Sequence, residues 1–268
     1  MTVSTFLKPA AQAFGLSPRE VKPKVAEPSD KTRVVLDAFT ELAPKYEATM
    51  NHELDLLWGV SYSEFIDRFI ATVPLDDGAR ILDVATGTAM IPLEVTRRAP
   101  GISQVVGLDI TPAMLAHGQE NVRSADQSSR IRLVCGSGMV MPFGTGAFDV
   151  VTCGLGMHHM QGDQLVRQMR RVLSPGGWLL MADVGAAPVW RSSLGKLALG
   201  FMFLYFGLAY SRVRIRAEMD AIHNLRTASE WHHYLAAAGF TDISITELPG
   251  QRSFYPNGLL IKARTKPV

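Results

Sequence analysis

The chain has 268 residues, 47% apolar and 19% charged, with a mean hydropathy of +0.10, which supplies a buried core without cross-links and excludes disordered and collagen-like classes. Its 27 Lys plus Arg and 25 Asp plus Glu leave a net charge of +2, so it carries no whole-molecule field of the kind that nucleic-acid binders use. Two cysteines, Cys135 and Cys153, exclude a disulfide framework, lack the close spacing of a structural zinc site, and suit a reducing cytoplasmic setting.

Residues 1–30 hold Pro9, Pro18, Pro23 and Pro28 among Lys, Ser and Glu, a composition that predicts an extended arm without a buried face. Such an arm could exchange between subunits of a homo-oligomer. No unbroken apolar run of signal-peptide length is present. From Asp30, Val34, Val35, Ala38, Phe39 and Leu42 recur at helical spacing until Pro44, and a second amphipathic run covers Ser63 to Val73. These predict a helical cover over 31–73.

After the turn Pro74-Leu75-Asp76-Asp77-Gly78, five apolar runs read as strands: Arg80 to Ala85, Gln104 to Asp109, Ile131 to Cys135, Phe148 to Cys153 and Trp178 to Asp183. Helical patterns lie between them at Ala89 to Arg98, Pro112 to Arg123 and Gln164 to Leu173. Strands apolar throughout and alternating with helices predict a parallel sheet covered on both faces. An insert at 186–226 follows, rich in aromatic residues and Arg. A helix at Ser229 to Ala238, a Gly239 stop, and strands at Thr241 to Glu247 and Gly258 to Arg264 close the chain. The last two strands are joined too tightly for a covering helix and should pair antiparallel. The expectation is one α/β domain, 31–268: a doubly wound, mostly parallel seven-stranded sheet with an antiparallel last strand.

Chemistry concentrates at the strand ends. The first strand runs into Asp83-Val84-Ala85-Thr86-Gly87-Thr88-Ala89 directly before a helix, which presents backbone N–H groups at the sheet edge where open α/β sheets bind ligands. The same segment also reads as the tight turn that any such fold needs. It does not match the dinucleotide fingerprint G-x-G-x-x-G. Asp109 ends the second strand, where a carboxylate accepts two ribose hydroxyls or caps a helix. Thr111-Pro112 already offers a cap and a first-turn proline, which favours the ribose role and a nucleoside-containing ligand.

In these segments the chain resembles class I S-adenosylmethionine-dependent methyltransferases, and among them the ubiquinone/menaquinone-biosynthesis type. The resemblance rests on Ile81 to Thr88, Gly107 to Leu115, Met141-Pro142-Phe143 with Phe148 to Val151, Arg171 to Gly177, Ala238-Gly239-Phe240, and upstream Lys45-Tyr46-Glu47 with Met50-Asn51. It spans roughly residues 35–265. It implies a Rossmann-like methyltransferase fold with S-adenosylmethionine as cofactor. The methionine moiety would lie against Asp83 and the turn Ala85, Thr86, Gly87 and Thr88, with Tyr46 closing over it. Asp109 would hold the ribose, Ile110 and Met114 would flank the adenine, and Ser137, Gly138 and Met139 would meet its edge. Cys153 and Gly154, at the end of the fourth strand, complete the cofactor-binding set. Two residues depart from the family pattern. Ser137 stands where an Asp is usual, which makes a neutral and weaker acceptor. Ala89 stands where the last Gly of the turn is usual, and is strained there if its φ is positive.

A sulfonium-bound methyl is already activated, so the protein must mainly align donor and acceptor and exclude water. A general base is needed only where the acceptor must lose a proton. His158 and His159, in Gly154-Leu155-Gly156-Met157-His158-His159-Met160, are the catalytic candidates, His158 first, because an imidazole titrates near neutrality. Either could instead cap a helix or fill an interface. Glu47, His52, Tyr46 and His223 are secondary candidates. Met50, Leu54, Leu57, Trp58, Met157, Phe201 and Tyr205 are the candidate walls of a pocket for a lipophilic small molecule, unless they only pack a core. The uncharged run Leu197 to Tyr210 would reach about 21 Å as a helix against roughly 30 Å of bilayer core, so it does not span. Arg212, Arg214 and Arg216 beside it form a solvated surface, recognise a phosphate-bearing substrate, or bring 194–216 to an anionic membrane surface. The functional expectation is methyl transfer to a carbon or oxygen of an aromatic, quinol or prenylated acceptor, with no metal and no nucleic acid. Two alternatives are a dehydrogenase, disfavoured by the missing fingerprint, and a protein of this fold that binds the cofactor without methylating, as a cyclase or binding module.

Overall fold

The computed structural model describes residues 29–72, 75–102, 104–186 and 211–267. Three helices lead: α1 (Asp30–Leu42), α2 (Tyr46–Trp58) and α3 (Tyr62–Ile70). The Ser29 and Ser61 hydroxyls cap α1 and α3 by accepting the Thr32 and Glu64 N–H groups, filling donors that a helix start leaves orphaned. Pro44, in a 3-10 turn over Ala43–Lys45, separates α1 from α2. Gly59, at φ +67°, stops α2. Sequence periodicity placed no helix over 46–58; its buried face is Tyr46, Met50, Leu54 and Trp58 at four-residue steps, interleaved with acidic residues that mask the stripe.

The alternating segment forms β1 (Arg80–Val84), α4 (Met90–Arg98), β2 (Gln104–Asp109), α5 (Pro112–Ser124), β3 (Ile131–Cys135), β4 (Phe148–Gly154), α6 (Gly162–Val172) and β5 (Leu173–Val184). The chain then adds α7 (Arg212–Ala221), α8 (Ala228–Ala237), β6 (Phe240–Leu248) and β7 (Gly258–Thr265). Strand order is β3-β2-β1-β4-β5-β7-β6. β7 runs antiparallel to both neighbours and the other ladders are parallel, as expected for the doubly wound sheet with a reversed last strand. β5 begins at Leu173, earlier than its apolar run suggests. Its first residues are held by Thr265, whose hydroxyl donates to the Ser174 carbonyl at 2.7 Å.

Strand order reverses between β1 and β4, and the crevice at their carboxyl ends is where such sheets bind ligands. One sheet face packs Ile81 and Val105 against Phe65, Phe69 and Val95 from α3 and α4. The other packs Leu82 and Val84 against Leu165 and Met169 of α6 and Trp231 and Leu235 of α8. A third, smaller cluster joins Leu42, Ala43, Tyr46 and Met50 of the cover to Met114 of α5. The cover thereby lies on the crevice, and α1 also packs on α7. No helix among the described residues is long and apolar enough to cross a membrane. The expected arm at 1–28 and the insert residues 187–210, with Phe201 and Tyr205, lie outside the described residues.

Candidate active site

β1 delivers Asp83 to the crevice fully buried. Its Oδ1 accepts the Thr152 hydroxyl of β4 at 2.6 Å. Its Oδ2 has no hydrogen-bond partner, nor do the hydroxyls of Thr86 and Thr88 in the following turn. Burial pushes the Asp83 carboxyl up to about 7, against the lowering effect of the Thr152 bond and of the nearby Thr86 hydroxyl. An unmatched carboxylate in such a place is costly unless a cation meets it.

The turn itself is left-handed at three positions: Ala85 (φ +56°), Gly87 (φ +55°) and Ala89 (φ +66°). It is pinned by Thr86 N–H to the Leu108 carbonyl at 3.1 Å and by Ala89 N–H to the Thr86 carbonyl at 2.9 Å. Ala89 therefore carries the strain that a positive φ imposes on a residue with a Cβ, about 1–2 kcal/mol. Ala85 is in the same condition. α5 approaches so closely that a Cβ at Gly118 would lie 3.1 Å from the Gly87 carbonyl oxygen, and so the N-terminal part of that helix shapes the turn's outer side.

Asp109 serves two backbones at once: Oδ2 accepts the Gly87 N–H at 2.9 Å and Oδ1 the Thr111 N–H at 2.8 Å. Thr111 makes no side-chain cap; the aspartate accepts the N–H of this N-cap residue itself. The Thr111 hydroxyl and the Ile110 N–H also bear on this carboxylate. Burial raises the Asp109 carboxyl, opposed by the Thr111 and Gly87 N–H groups. Met114 and Tyr46 converge on Gly87: the Met114 Cε and the Tyr46 Cε1 lie 3.0 and 4.0 Å from where a Cβ would stand. Ile110 is half-buried beside them. Asn121 ties α5 to the turn and the cover by donating to the Thr88 carbonyl at 3.1 Å and to Glu47 Oε1 at 3.0 Å.

After β3, Ser137 accepts the Met139 N–H at 3.1 Å and Gln164 donates to the Met139 carbonyl at 2.8 Å. Part of the Ser137 acceptor capacity is thus spent on its own turn, with Gly138 between. Cys153 reaches the site only through its backbone. Its side chain sits in the core with Leu82 and Val151, where burial pushes the thiol well up. Gly154 has no room for a side chain, since a Cβ would stand 2.5 Å from Ile91 Cδ1.

Next to this crevice opens a pocket of about 1250 Å³ including its mouth. Met50, Leu54, Leu57 and Trp58 line one side and Ile215, Ile222 and Leu225 another, with Tyr46 and Leu155 also in the lining. Trp58 is set by its Nε1–H bond to the Pro256 carbonyl at 2.8 Å. Met157 is a correction: it is buried in the core with Leu82, Leu165 and Met169 and does not line the pocket, because the 3-10 turn Met157–His159 points it inward under the sheet edge.

One wall of the pocket is charged. His158 and His159 stand side by side, ring centroids 4.2 Å apart, and Phe39 of α1 meets His159 edge-on at 5.1 Å. His158 Nδ1 lies 2.5 Å from Asp183 Oδ1 at the end of β5. Burial works against its charged form, but the Asp183 charge and hydrogen bond outweigh it and lift His158 to about 9. His159 goes the other way, pushed well down by burial and by His158, and its Nδ1 has no partner. Of the two candidates, His158 is engaged by Asp183 through Nδ1, while His159 keeps a buried Nδ1 without a partner. Arg214 of α7 turns inward, paired with Glu53 of α2 at 2.7 Å, while Glu218 lies 3.8 Å from both Arg214 Nε and His159 Nε2. Arg212 and Arg216 are exposed. His52 and His223 are exposed and Glu47 is engaged by Asn121; none of the three lines the pocket. Glu53, Asp183 and Glu218 were not foreseen as site residues; they come from segments that no local motif links.

The family model of the ubiE/COQ5 methyltransferase family matches residues 27–203. A ubiquinone/menaquinone biosynthesis C-methyltransferase UbiE of Geobacter sulfurreducens is 27% identical over 223 residues, 80% of this chain and 83% of that one. Among solved structures, the [4+2]-cyclase SpnF superposes with a TM-score of 0.67 at 17% identity, covering 90% of this chain and 98% of that one. A geranyl diphosphate C-methyltransferase from Streptomyces coelicolor A3(2), in complex with Mg2+, geranyl diphosphate and S-adenosyl-L-homocysteine, superposes with a TM-score of 0.59 at 14% identity, covering 82% and 84%.

Proposed function

The chain belongs to the ubiE/COQ5 methyltransferase family, and from that premise we propose that it transfers the methyl group of S-adenosylmethionine to a ring carbon of a lipophilic, hydroxyl-bearing acceptor of the quinol type. The observation that carries the cofactor is Asp83, a buried carboxylate whose Oδ2 lacks a partner beside two unpartnered threonine hydroxyls. That set suits the ammonium and carboxylate ends of a methionine moiety. Asp109, a buried carboxylate at the end of β2, suits a ribose. When bound, S-adenosylmethionine supplies a methyl group on a sulfonium centre.

The chain's own contribution is placement. Leu54, Leu57, Trp58, Ile215 and Leu225 take the apolar body of the acceptor and exclude water. His159, which lines the pocket beside Glu218, receives the acceptor's hydroxyl and holds its proton, raising electron density on the ring carbon beside it. His158, fixed by Asp183, keeps its neighbour's orientation. The C-methyltransferase named among the relatives supports carbon over oxygen as the target. The free thiols Cys135 and Cys153 suit a reducing, cytoplasmic location, and exposed Arg212 and Arg216 suit contact of 194–216 with an anionic membrane that holds such acceptors. The test is calorimetric titration with S-adenosylmethionine followed by mass analysis of reactions with quinols, phenols and prenylated rings. A product heavier by one methylene confirms transfer; binding with no product from any of them leaves the cyclase-like alternative in its place.

A further inference from the structure

Methyl transfer to a ring carbon leaves one proton to dispose of. The carbon–sulfur bond breaks with its electron pair staying on sulfur, the carbon–carbon bond forms from the ring's electrons, and the ring carbon loses its hydrogen as H+. The acceptor's oxygen begins and ends as a hydroxyl, so one proton per turnover reaches His159 and has to leave it. His159 is badly placed to keep that proton. Its side chain is 5% exposed, its Nδ1 is buried without a partner, and Phe39 closes the ring edge-on. Burial and the neighbouring His158 push it well down, so its protonated form is a ready acid.

Glu218 of α7 stands where the proton can go. Its Oε1 lies 3.8 Å from His159 Nε2 and its Oε2 lies 4.0 Å from His158 Nε2, so the carboxylate turns one oxygen toward each ring. A gap of that size lets His159 Nε2 meet the acceptor's hydroxyl first, and it closes afterwards by a small rotation of Glu218 or through one bridging water. His158 does not compete for the proton, because Asp183 at 2.5 Å already holds one on its Nδ1. The other charged groups at this wall are Arg214, whose Nε is 3.8 Å from Glu218 Oε1, and Glu53, paired with Arg214 at 2.7 Å. A guanidinium does not exchange its charge at neutral pH. Of the three carboxylates Glu218 is the most open to water, its side chain 35% exposed against 20% for Glu53 and 1% for Asp183.

We propose that Glu218 is the proton exit of the pocket, taking from His159 Nε2 the proton that each methyl transfer releases and passing it to water. One proton moves from nitrogen to a carboxylate oxygen with no change of oxidation state, and His159 returns to the neutral form that receives the next hydroxyl. Glu218 acts through His159 and touches neither cofactor nor acceptor in this role. The inference rests on the methyl-transfer reading and extends it to the return of the site to its starting state.

Wild type and Glu218→Gln are compared in methyl transfer from S-adenosylmethionine to a prenylated hydroquinone, in light and heavy water. In the variant kcat should fall about tenfold or more with KM and the cofactor Kd unchanged, the solvent isotope effect on kcat should grow, and added formate or imidazole should restore part of the rate. Glu218→Asp, which keeps a carboxylate, should retain more activity than Glu218→Gln. A Glu218→Gln rate equal to wild type overturns the proposal. So does a loss that neither formate nor imidazole restores and that leaves the isotope effect unchanged, which assigns Glu218 a structural role. Melting curves show that each variant is folded, and Glu218→Ala with added formate carries the same test should the Gln variant unfold. The two claims fail differently: wild type that binds S-adenosylmethionine and methylates no ring removes the methyl-transfer reading and the exit with it, whereas equal product from wild type and Glu218→Gln removes the exit alone.

Discussion

The turn after β1 takes its shape from five consecutive residues, Ala85 to Ala89, three of them left-handed, while the charged wall of the pocket is assembled from residues 53, 158, 159, 214 and 218, with Asp183 behind His158. The first presents mainly backbone and two short hydroxyls, held by Leu108 and Asp109 of the next strand. The second presents only side chains, each positioned by another. A backbone site tolerates changes of side chain but not of dihedral angle. A side-chain site tolerates backbone variety but loses its purpose when one charge is removed, because the partner charge is then left alone.

Substitutions can set the two against each other. Asp83→Asn removes the one charge of the turn and should weaken S-adenosylmethionine by about 100-fold, since a buried charge loses its partner, with acceptor affinity untouched; an unchanged calorimetric Kd would break the contrast. His159→Gln should lower kcat by about 100-fold while the cofactor Kd stays within error, and equal losses in both would show that the two regions act as one. Acidity separates them as well. With Asp83 at about 7, the carboxylate proposed to meet the ammonium exists above that pH and is protonated below it. Cofactor affinity should therefore fall about tenfold from pH 8 to pH 6, and that slope should vanish in Asp83→Asn. The smallest effect belongs to the backbone. Ala89→Gly relieves a φ of +66° and should stabilise the fold by about 1 kcal/mol, read as a shift in the denaturation midpoint; destabilisation would show that the Ala89 methyl, fully buried, contributes more by packing than it costs in strain.

The same contrast explains what could be read from residues alone. β1 to β4, α4 to α6 and the reversed β7 were legible because each is a local run of apolar periodicity bounded by Gly, Pro or a cap. The turn was legible for the same reason, and its Ala89 question needed only one dihedral angle to answer. α2 escaped because Glu47, Glu53 and Asp55 interrupt its apolar stripe. α7 escaped because Arg212, Arg214 and Arg216 suggest solvent on every side, whereas a helix sends Arg214 one way, to Glu53, and the other two outward. Met157 was misplaced into the pocket because its neighbours His158 and His159 belong there, and a 3-10 turn divides adjacent side chains among different directions. No pattern in the chain links Asp183 to His158 or Glu218 to His159. That pairing exists only after folding.

Trp58 bonds to Pro256 across 198 residues and packs against the backbone at Gly258, so the N-terminal wall of the pocket is anchored to the start of the last strand. Emerging from the ribosome, the chain would have its cofactor turn, β1 and β2 long before the residues that seat α2. Contacts of such separation form late. The pocket is therefore the last part of the molecule to be finished, and loss of the final strand at the end of synthesis would leave the turn after β1 in place with no walled pocket beside it.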